Sequence, residues 1–453
     1  MKMPWVAAAL LLAAPSFAES PGSYDAAVAQ SRARRAPLLA DFSAPWCYSC
    51  YYMARNVLTG PEWDRVRRDA VVLELDADSP EGAQLMKQWS VKALPTYVVF
   101  APDGRELGRI LGEQTRADFY AWLNGALARG DTLESLKARV ADGSDASLAA
   151  AREVLKTFHA RYDAAGGLDW FMALAPKARA AVARDSQSSL WLGRLELLRA
   201  SKEPDTAGCL KAGAAVLDAN LGCERPYELD RVMACTEKET GAARTDLLRS
   251  QVELMQLLLE KRVLADNARC ADERSVVVGT ADLEQALGDT AAEKRVLDRA
   301  IENLAQRIGP DLKKDRNQAD NLRVYLERAQ RWDELDALLN RMIQAWPDDY
   351  VYAYREGKTL AARGRHAEAL PYFEKAAAKA YGANRLRNAE LRASTLHALG
   401  KDAEARQVIA QALQANGPQF PEEAAKLRAL PDQWQTAPAP APAPAPGSPP
   451  PAT

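Results

Sequence analysis

The hydrophobic pattern of this chain changes once, near residue 130, and that change limits what the chain can fold into. Before it, β-rich runs alternate with helical ones. The pattern predicts strands at Leu38–Phe42, Val71–Leu75, Thr96–Phe100 and Glu106–Leu111. It predicts helices at Cys50–Leu58, at Gly82–Trp89 and after the N-cap residue Thr115. Parallel neighbours need crossover helices and the last two strands form a hairpin, so we expect an α/β fold with a central mixed sheet and helices on both faces.

After residue 130, helical spacing of apolar residues continues through Leu430. Residues 131–147 predict a linker, and residues 148–320 predict a helical domain with degenerate repeats. In residues 321–430 four positions recur 36 residues later: Gly364, Ala369, Phe373 and Ala376 reappear as Gly400, Ala405, Ile409 and Ala412. This period resembles the tetratricopeptide repeat, and it implies an all-α helical-repeat domain whose concave face could hold a protein or peptide.

The two ends of the chain have compositions that set them apart from the folded part. Lys2 precedes an apolar run, Trp5–Ala14, and a small-x-small pattern ends at Ala18, which predicts a cleaved signal peptide over residues 1–18. We therefore expect a periplasmic or secreted protein whose first domain covers residues 19–130. The alternative is an uncleaved anchor, but the run is shorter than the ~20 residues that a bilayer crossing needs, so we expect no stable membrane insertion. Residues 436–453 alternate Ala and Pro and predict a disordered, solvated tail.

Composition and charge narrow the classes of partner. Hydrophobic residues make up 48% of the 453 residues and charged residues 26%, as in a soluble globular protein. Lys and Arg total 59 against 61 for Asp and Glu, a net charge of -2, which gives no general attraction to phosphate backbones. We therefore expect no nucleic-acid partner.

Cys47 and Cys50 lie directly after a predicted strand, at the start of a predicted helix. At that position unpaired backbone N–H groups and the positive end of the helix dipole favour thiolate over thiol. Cys47 is therefore the predicted nucleophile. Cys50 lies one turn further along the helix and can attack a mixed disulfide to release the product.

Residues 22–128 resemble the thioredoxin superfamily, most of all the C-terminal domain of periplasmic thiol:disulfide interchange reductases. The resemblance is carried by four landmarks in order: Asp41, the segment Trp46-Cys47-Tyr48-Ser49-Cys50, the segment Leu94-Pro95-Thr96, and Gly112. It implies a thioredoxin-like fold, protein clients with thiols or disulfides, and a redox partner that recycles the pair.

The resemblance also implies roles for three further residues. Asp41 would accept the proton that Cys50 loses, since a half-buried carboxylate can have a raised pKa. Pro95 would be cis and would present the backbone beside the sulfurs to an extended substrate. Trp46 would shape the docking surface next to the nucleophile. The plainer alternatives are a solvated carboxylate at a strand end, an ordinary trans proline and a core tryptophan.

The chain departs from the family in two places that bear on its redox chemistry. An approximate alignment places Glu74 where thioredoxins carry a Lys near the buried carboxylate, so we expect more negative charge around Asp41 and a more tightly held proton. The dipeptide Tyr48-Ser49 lacks the His that strongly oxidising members carry between the two cysteines. Both departures favour a reducing potential.

The other four cysteines are dispersed through the helical region. In an exported chain, an even set predicts two structural disulfides among Cys209, Cys223, Cys235 and Cys270. Three pairings are open, and we favour Cys223 with Cys235 and Cys209 with Cys270. A second redox pair is the alternative, although no further Cys-x-x-Cys supports it.

Other uses of the sulfurs of Cys47 and Cys50 have less support. Zinc needs about four ligands, and the three histidines lie outside this region without ligand spacing. Thiolates suit Cu(I), but no His or Met cluster accompanies them. A permanent structural disulfide is the simplest alternative. We therefore predict no metal and no cofactor.

Taken together, the residues predict an exported thiol:disulfide oxidoreductase that exchanges disulfides with protein clients, in the reducing or interchange direction. The helical-repeat domain would bind the partner. The alternative is a tetratricopeptide-type scaffold or assembly factor that uses the thioredoxin fold only as a docking platform, because helical arrays of this kind are general adaptors.

Overall fold

The computed structural model describes residues 21–265 and 269–436. The predicted signal peptide, and all of the predicted tail beyond residue 436, lie outside these residues. The described chain divides into two compact units. The first comprises residues 21–42, Met53–Leu75 and Pro95–Leu195, and the second comprises Ser43–Tyr52, Asp76–Leu94 and the described residues from 196 onward. The units alternate along the chain, whereas the predicted domains follow one another in chain order.

Four strands form one sheet: β1 (Leu38–Ser43), β2 (Val71–Asp76), β3 (Thr96–Phe100) and β4 (Glu106–Leu111). Their order in the sheet is β2-β1-β3-β4. Strands β1 and β3 are antiparallel with Leu38 opposite Phe100, and β3 and β4 form an antiparallel hairpin. A helical crossover separates β2 from its neighbour β1, which is the connection that parallel strands require. The predicted mixed sheet is confirmed.

The helices that accompany the sheet are α1 (Tyr24–Arg34), α2 (Tyr48–Asn56), α3 (Gly60–Asp69), α4 (Pro80–Gln88) and α5 (Arg116–Arg129). The last begins at Thr115 as predicted, because the Thr115 hydroxyl accepts a hydrogen bond from the Asp118 N–H. Helices α1 and α3 were not predicted from the sequence. Helix α1 buries only Ala27 and Ser31, so it has no apolar stripe for a periodicity search to find.

Five further helices follow, α6 (Leu133–Arg139), α7 (Asp145–Ala160), α8 (Ala164–Ala173), α9 (Pro176–Arg184) and α10 (Ser186–Lys202). Helices α6 and α7 pack against β4. The segment predicted as a linker, residues 131–147, therefore contains a packed helix. Its start is fixed by a capping box between Thr132 and Ser135, and Leu136 is buried.

The second unit is built mainly from helices α11 (Thr206–Leu217), α12 (Arg225–Cys235), α13 (Ala242–Arg262), α14 (Glu273–Ala286), α15 (Thr290–Ile308), α16 (Arg316–Arg328), α17 (Trp332–Ala345), α18 (Val351–Ala362), α19 (His366–Ala377), α20 (Gly382–Ala398), α21 (Asp402–Asn416) and α22 (Pro421–Thr436). Short 3-10 turns lie at Gly222–Glu224 and Leu312–Lys314. Most successive helices pack on each other, and one buried apolar cluster extends from Leu259 to Ala380. The predicted helical C-terminal region is confirmed.

The 36-residue period corresponds to equivalent positions in two helix pairs, α18 with α19 and α20 with α21. Gly364 and Gly400 each follow the first helix of a pair in the left-handed region, with φ of 73° and 74°, where glycine is favoured. Small and aromatic residues of the second helix are fully buried: Ala369, Phe373, Ala376 and Ala405. The assignment to the tetratricopeptide family itself stays a prediction.

The four cysteines of the helical region form two disulfides, as predicted, but the favoured pairing is wrong. Cys209 is bonded to Cys235 and Cys223 to Cys270. Helices α11 and α12 pack on each other with a short connection between them, which brings the start of α11 to the end of α12. Cys223 lies in that connection and meets a residue from outside the helix pair. Separation along the chain carries no information about this arrangement.

Among the described residues, no helix is long and apolar enough to cross a membrane.

Candidate active site

The cysteine pair lies in the segment Ser43–Tyr52, called the redox loop below, which runs from the last residue of β1 through the first five residues of α2. Cys47 and Cys50 form a disulfide with their Cα atoms 5.2 Å apart. The Cys50 backbone N–H donates a hydrogen bond to the Cys47 sulfur, with 3.1 Å between N and Sγ. Cys47 immediately precedes α2, so its sulfur lies at the N-terminal end of that helix. After reduction, the same N–H group and the helix dipole would favour the thiolate of Cys47.

The two cysteines are almost covered in this oxidised state. Their relative exposures are 4% for Cys47 and 9% for Cys50, and Ala77 and Leu94 pack against them. Cys50 is the third residue of α2 and is slightly more exposed than Cys47, so the expected shielding of the resolving cysteine relative to the nucleophile is not seen. Exchange with another polypeptide therefore requires neighbouring residues to move.

Trp46 is 37% exposed and is not a core residue. Its indole Nε1 donates a hydrogen bond to Asp78, with 2.6 Å between Nε1 and Oδ2. Asp78 also pairs with Arg387 of α20, with 2.7 Å between Nη1 and Oδ1, and its backbone carbonyl accepts from the Ala383 N–H. The indole ring is thus fixed beside Cys47 while part of its surface stays open.

Side chains of the helical region also bind the backbone of the redox loop. Arg355 of α18 donates to the Trp46 carbonyl, at 2.8 Å. Asn317 of α16 donates to the Tyr48 carbonyl, at 2.9 Å. Neither residue was predicted from the sequence, because they lie 309 and 269 positions away along the chain and belong to no motif.

Asp41 lies in the first unit, on β1, and is buried. Its Oδ1 atom has no hydrogen-bond partner among the described residues. Desolvation by burial, with a further contribution from the Glu74 carboxylate, raises the pKa of Asp41 from 3.8 to about 7. The contribution of Glu74 has the direction that the sequence predicts, and Asp41 is buried rather than solvated.

Pro95 also lies in the first unit, directly before β3, and is buried. Its carbonyl accepts a hydrogen bond from the Gly112 N–H, at 2.8 Å. This bond joins two landmarks of the sequence resemblance, and Gly112 takes the positive φ of 80° that favours glycine. The cis isomer of the Pro95 peptide bond stays a prediction.

In the part of the chain that the structure describes, no group of three or more His, Cys, Asp or Glu side chains could hold a metal ion. All six cysteines are in disulfides.

A family model described as a thioredoxin-like domain matches residues 24–127. Residues 24–127 are therefore a thioredoxin-like domain. The match contains the four strands and the redox loop, and it ends within α5. The helices that follow lie outside it.

Curated relatives match the same part of the chain. The thiol:disulfide interchange protein DsbD of Haemophilus ducreyi is 34% identical over 91 residues, which cover 19% of this chain and 16% of that protein. DsbD of Cronobacter sakazakii is 32% identical over 107 residues, 23% of this chain and 18% of that protein. The chain thus spans less than a fifth of the length of either relative. Among solved structures, a thioredoxin from Thermus thermophilus is 30% identical, with a TM-score of 0.23, and the match covers 24% of this chain and 86% of that one.

Proposed function

We propose that this protein is an exported thiol:disulfide oxidoreductase that exchanges disulfides with protein clients through Cys47 and Cys50. The observation that carries the proposal is the Cys47–Cys50 disulfide at the start of α2, with a backbone N–H on the Cys47 sulfur. The relatives that match the thioredoxin-like domain are named thiol:disulfide interchange proteins. The predicted signal peptide supports export.

The exchange has two steps that balance in atoms and electrons. The Cys47 thiolate attacks one sulfur of a client disulfide, forms a mixed disulfide and releases the other client sulfur as a thiolate. Cys50 then loses its proton and attacks the Cys47 sulfur, which releases the second client thiolate. The client gains two electrons, and the Cys47–Cys50 pair becomes a disulfide. We place the protein in this reducing or interchange direction because no His lies between the two cysteines.

Asp41 and Pro95 have supporting roles in this proposal. A buried carboxyl with a pKa of about 7 can take up a proton near neutral pH, so Asp41 is the acceptor for the proton that Cys50 loses. Pro95 presents its backbone to the extended client segment. Trp46, fixed by Asp78 and partly exposed, offers an apolar contact for the same segment.

The helical region contributes to client binding. A cavity of about 550 Å³ in the second unit is lined by Pro45 of the redox loop and, from the helical region, by Trp346, Tyr350, Tyr381 and Lys313, among others. The Tyr350 hydroxyl is buried and has no hydrogen-bond partner among the described residues. If the residues that cover this hydroxyl shift when a client enters, a client backbone carbonyl would accept from it and satisfy it. The aromatic rings would pack on apolar client side chains.

Reduction of insulin disulfides, driven by a small dithiol, tests the activity. We expect Cys47→Ser to abolish it, because no nucleophile remains, and Cys50→Ser to accumulate a mixed disulfide that mass spectrometry detects. Wild-type activity in Cys47→Ser would refute the assignment of the nucleophile. For the cavity, we expect Tyr350→Phe to raise KM with little change in kcat, whereas Tyr325→Phe, which removes another buried, unpartnered hydroxyl outside the cavity, serves as the control.

One observation favours a second function, that of a scaffold in which the thioredoxin fold only provides a docking surface. Cys47 and Cys50 are 4% and 9% exposed, so a protein disulfide has little access to them in this state. Equilibration with dithiothreitol and with glutathione buffers distinguishes the two functions. A pair that stays oxidised in both, across the accessible range of ratios, would favour the scaffold, whereas a reducing enzyme is reduced by dithiothreitol.

A further inference from the structure

The peptide that carries Cys47 is bound on both sides by the helical region. The Trp46 carbonyl, one residue before Cys47, accepts from Arg355, and the Tyr48 carbonyl, one residue after it, accepts from Asn317. Asn317 is buried, and the side chain of Arg355 is 16% exposed. The bond from Asn317 is partly buried, whereas the bond from Arg355 is open to solvent at the Trp46 carbonyl. The bond from Arg355 is charge-assisted, which makes it stronger than a neutral hydrogen bond.

Two further arginines stack on aromatic residues of the redox loop. The guanidinium carbon of Arg274, from α14, lies 3.4 Å from the centre of the Tyr48 ring. That of Arg316, from α16, lies 4.2 Å from the centre of the Tyr51 ring. Each contact places a cation over an aromatic face, which is a favourable arrangement.

A single buried carboxylate, that of Asp320, holds Arg355 and Arg274 in place. Asp320 is fully buried and pairs with both of them and with a further arginine, Arg323. Burial alone would raise the pKa of Asp320, but the guanidinium groups, first Arg355 and then the other two, outweigh it and hold the pKa far below its ordinary range. Asp320 is therefore ionised at neutral pH. Arg323 also pairs with Glu327, so three cations face two carboxylates and one positive charge is left over.

The nearby carboxylates Asp78 and Asp76 bind groups other than the backbone of the Cys47 peptide. Asp78 contacts the far end of the Trp46 indole, and Arg387 and Glu423 are linked to it in turn. Asp76 is bonded to the Tyr381 hydroxyl. By contrast, Arg355 is bonded to the carbonyl of the very peptide whose nitrogen belongs to Cys47.

From this arrangement we infer that Arg355 is a positioning residue for Cys47, which fixes the peptide ahead of the nucleophile and keeps a positive charge beside it that favours the thiolate. Arg274 adds to the same charge, and Asp320 orients both side chains. The inference rests on the proposed function and assigns the helical region a part in the chemistry as well as in binding. It predicts that a residue about 300 positions downstream sets the redox properties of the pair.

The test uses the full chain with Arg355→Gln, which removes the cation and keeps a polar side chain. We expect the pKa of the Cys47 thiol, taken from the midpoint of its alkylation rate against pH, to rise by about one unit. We also expect the equilibrium with glutathione to shift about tenfold against the reduced form, because a less stable thiolate makes the pair more reducing; this corresponds to about 30 mV. Midpoints and equilibria are used because changed access to the sulfur alters rates without altering either quantity.

Three companion variants make the result specific. Arg355→Lys keeps the charge and should stay within about twofold of wild type. Arg331 lies just before α17 and pairs with Glu334 and Asp298 instead of the redox loop. Arg331→Gln should therefore change neither the pKa of the Cys47 thiol nor the equilibrium with glutathione. Arg274→Gln should shift both in the same direction as Arg355→Gln, and it takes the place of that variant if Arg355→Gln does not fold.

The inference is overturned if a folded Arg355→Gln or Arg274→Gln keeps the wild-type pKa and equilibrium, or if Arg355→Lys shifts both as far as Arg355→Gln. A wild-type pair that neither dithiothreitol nor glutathione reduces would instead refute the proposed function. Alkylation of the phosphine-reduced protein would still measure the effect of Arg355 in that case.

Discussion

Asp41 gives the folded state a dependence on pH that a single substitution should remove. The native state keeps the carboxyl protonated up to a pKa of about 7, whereas the ordinary value is 3.8. Between these values the native state binds a proton that the unfolded chain has lost, so stability is greatest below about pH 4 and falls as the pH rises through 7. Asp41→Asn replaces the carboxyl by an amide of similar size that does not ionise.

The size of the effect follows from the same two values. Each pKa unit is worth about 1.4 kcal/mol, so the raised pKa of Asp41 lowers the free energy of unfolding, relative to its value at low pH, by about 2 kcal/mol at pH 5 and about 4 kcal/mol at pH 8. The amide of the Asp41→Asn variant also destabilises the native state, because Oδ1 of Asp41 has no partner among the described residues. This destabilisation does not change with pH. The difference in stability between Asp41→Asn and wild type should therefore grow by about 2–3 kcal/mol from pH 5 to pH 8.

Scanning calorimetry of the oxidised proteins measures this growth. We expect the gap between the melting temperatures of the two proteins to widen by about 5–10 °C from pH 5 to pH 8, in favour of Asp41→Asn. Asp69→Asn changes an exposed carboxyl at the end of α3 and is the matched control, with a constant gap. A gap for Asp41→Asn that stays the same at every pH would show that this carboxyl has an ordinary pKa and would refute the reasoning.

Three further predictions concern other parts of the molecule. Glu74→Gln removes a negative charge that helps to raise the pKa of Asp41. The loss of stability that calorimetry detects with rising pH should therefore end at a lower pH than in wild type. Gly382→Ala should lower the melting temperature by several degrees, because the new Cβ would lie 1.9 Å from the Asp78 carbonyl oxygen, whereas Gly364→Ala has open space and should cost about 1 kcal/mol from its positive φ alone. Non-reducing peptide mapping should recover Cys235 joined to Cys209. A peptide in which Cys235 is joined to Cys223 would contradict the structure.

Elements whose signals are local could be predicted from the sequence. The strands Thr96–Phe100 and Glu106–Leu111 have the bounds that were predicted, because a run of apolar, β-branched and aromatic residues followed by a turn is complete within a few positions. Helix α3 was missed although its first turn holds a proline and Trp63 is buried. Its charged residues leave too few apolar positions for a periodic stripe.

Site residues divide in the same way. The redox pair and Asp41 belong to a motif that a short stretch of sequence contains, so they were predicted. Arg355 and Asn317 act through the folding of a distant segment, and nothing near them in sequence marks them. The disulfide pairing failed for a related reason, since the contact between α11 and α12 decides it.

The hydrogen bonds on the Trp46 and Tyr48 carbonyls bear on how the protein can be divided for experiments. A fragment that stops near residue 130 would contain all the residues on which the similarity to thioredoxins rests. It would also leave both carbonyls without their donors, uncover the rings of Tyr48 and Tyr51, and cut through the second compact unit. The end of the matched domain is therefore a poor place to truncate this chain. The reduction potential of Cys47 and Cys50 in such a fragment would differ from that in the full chain.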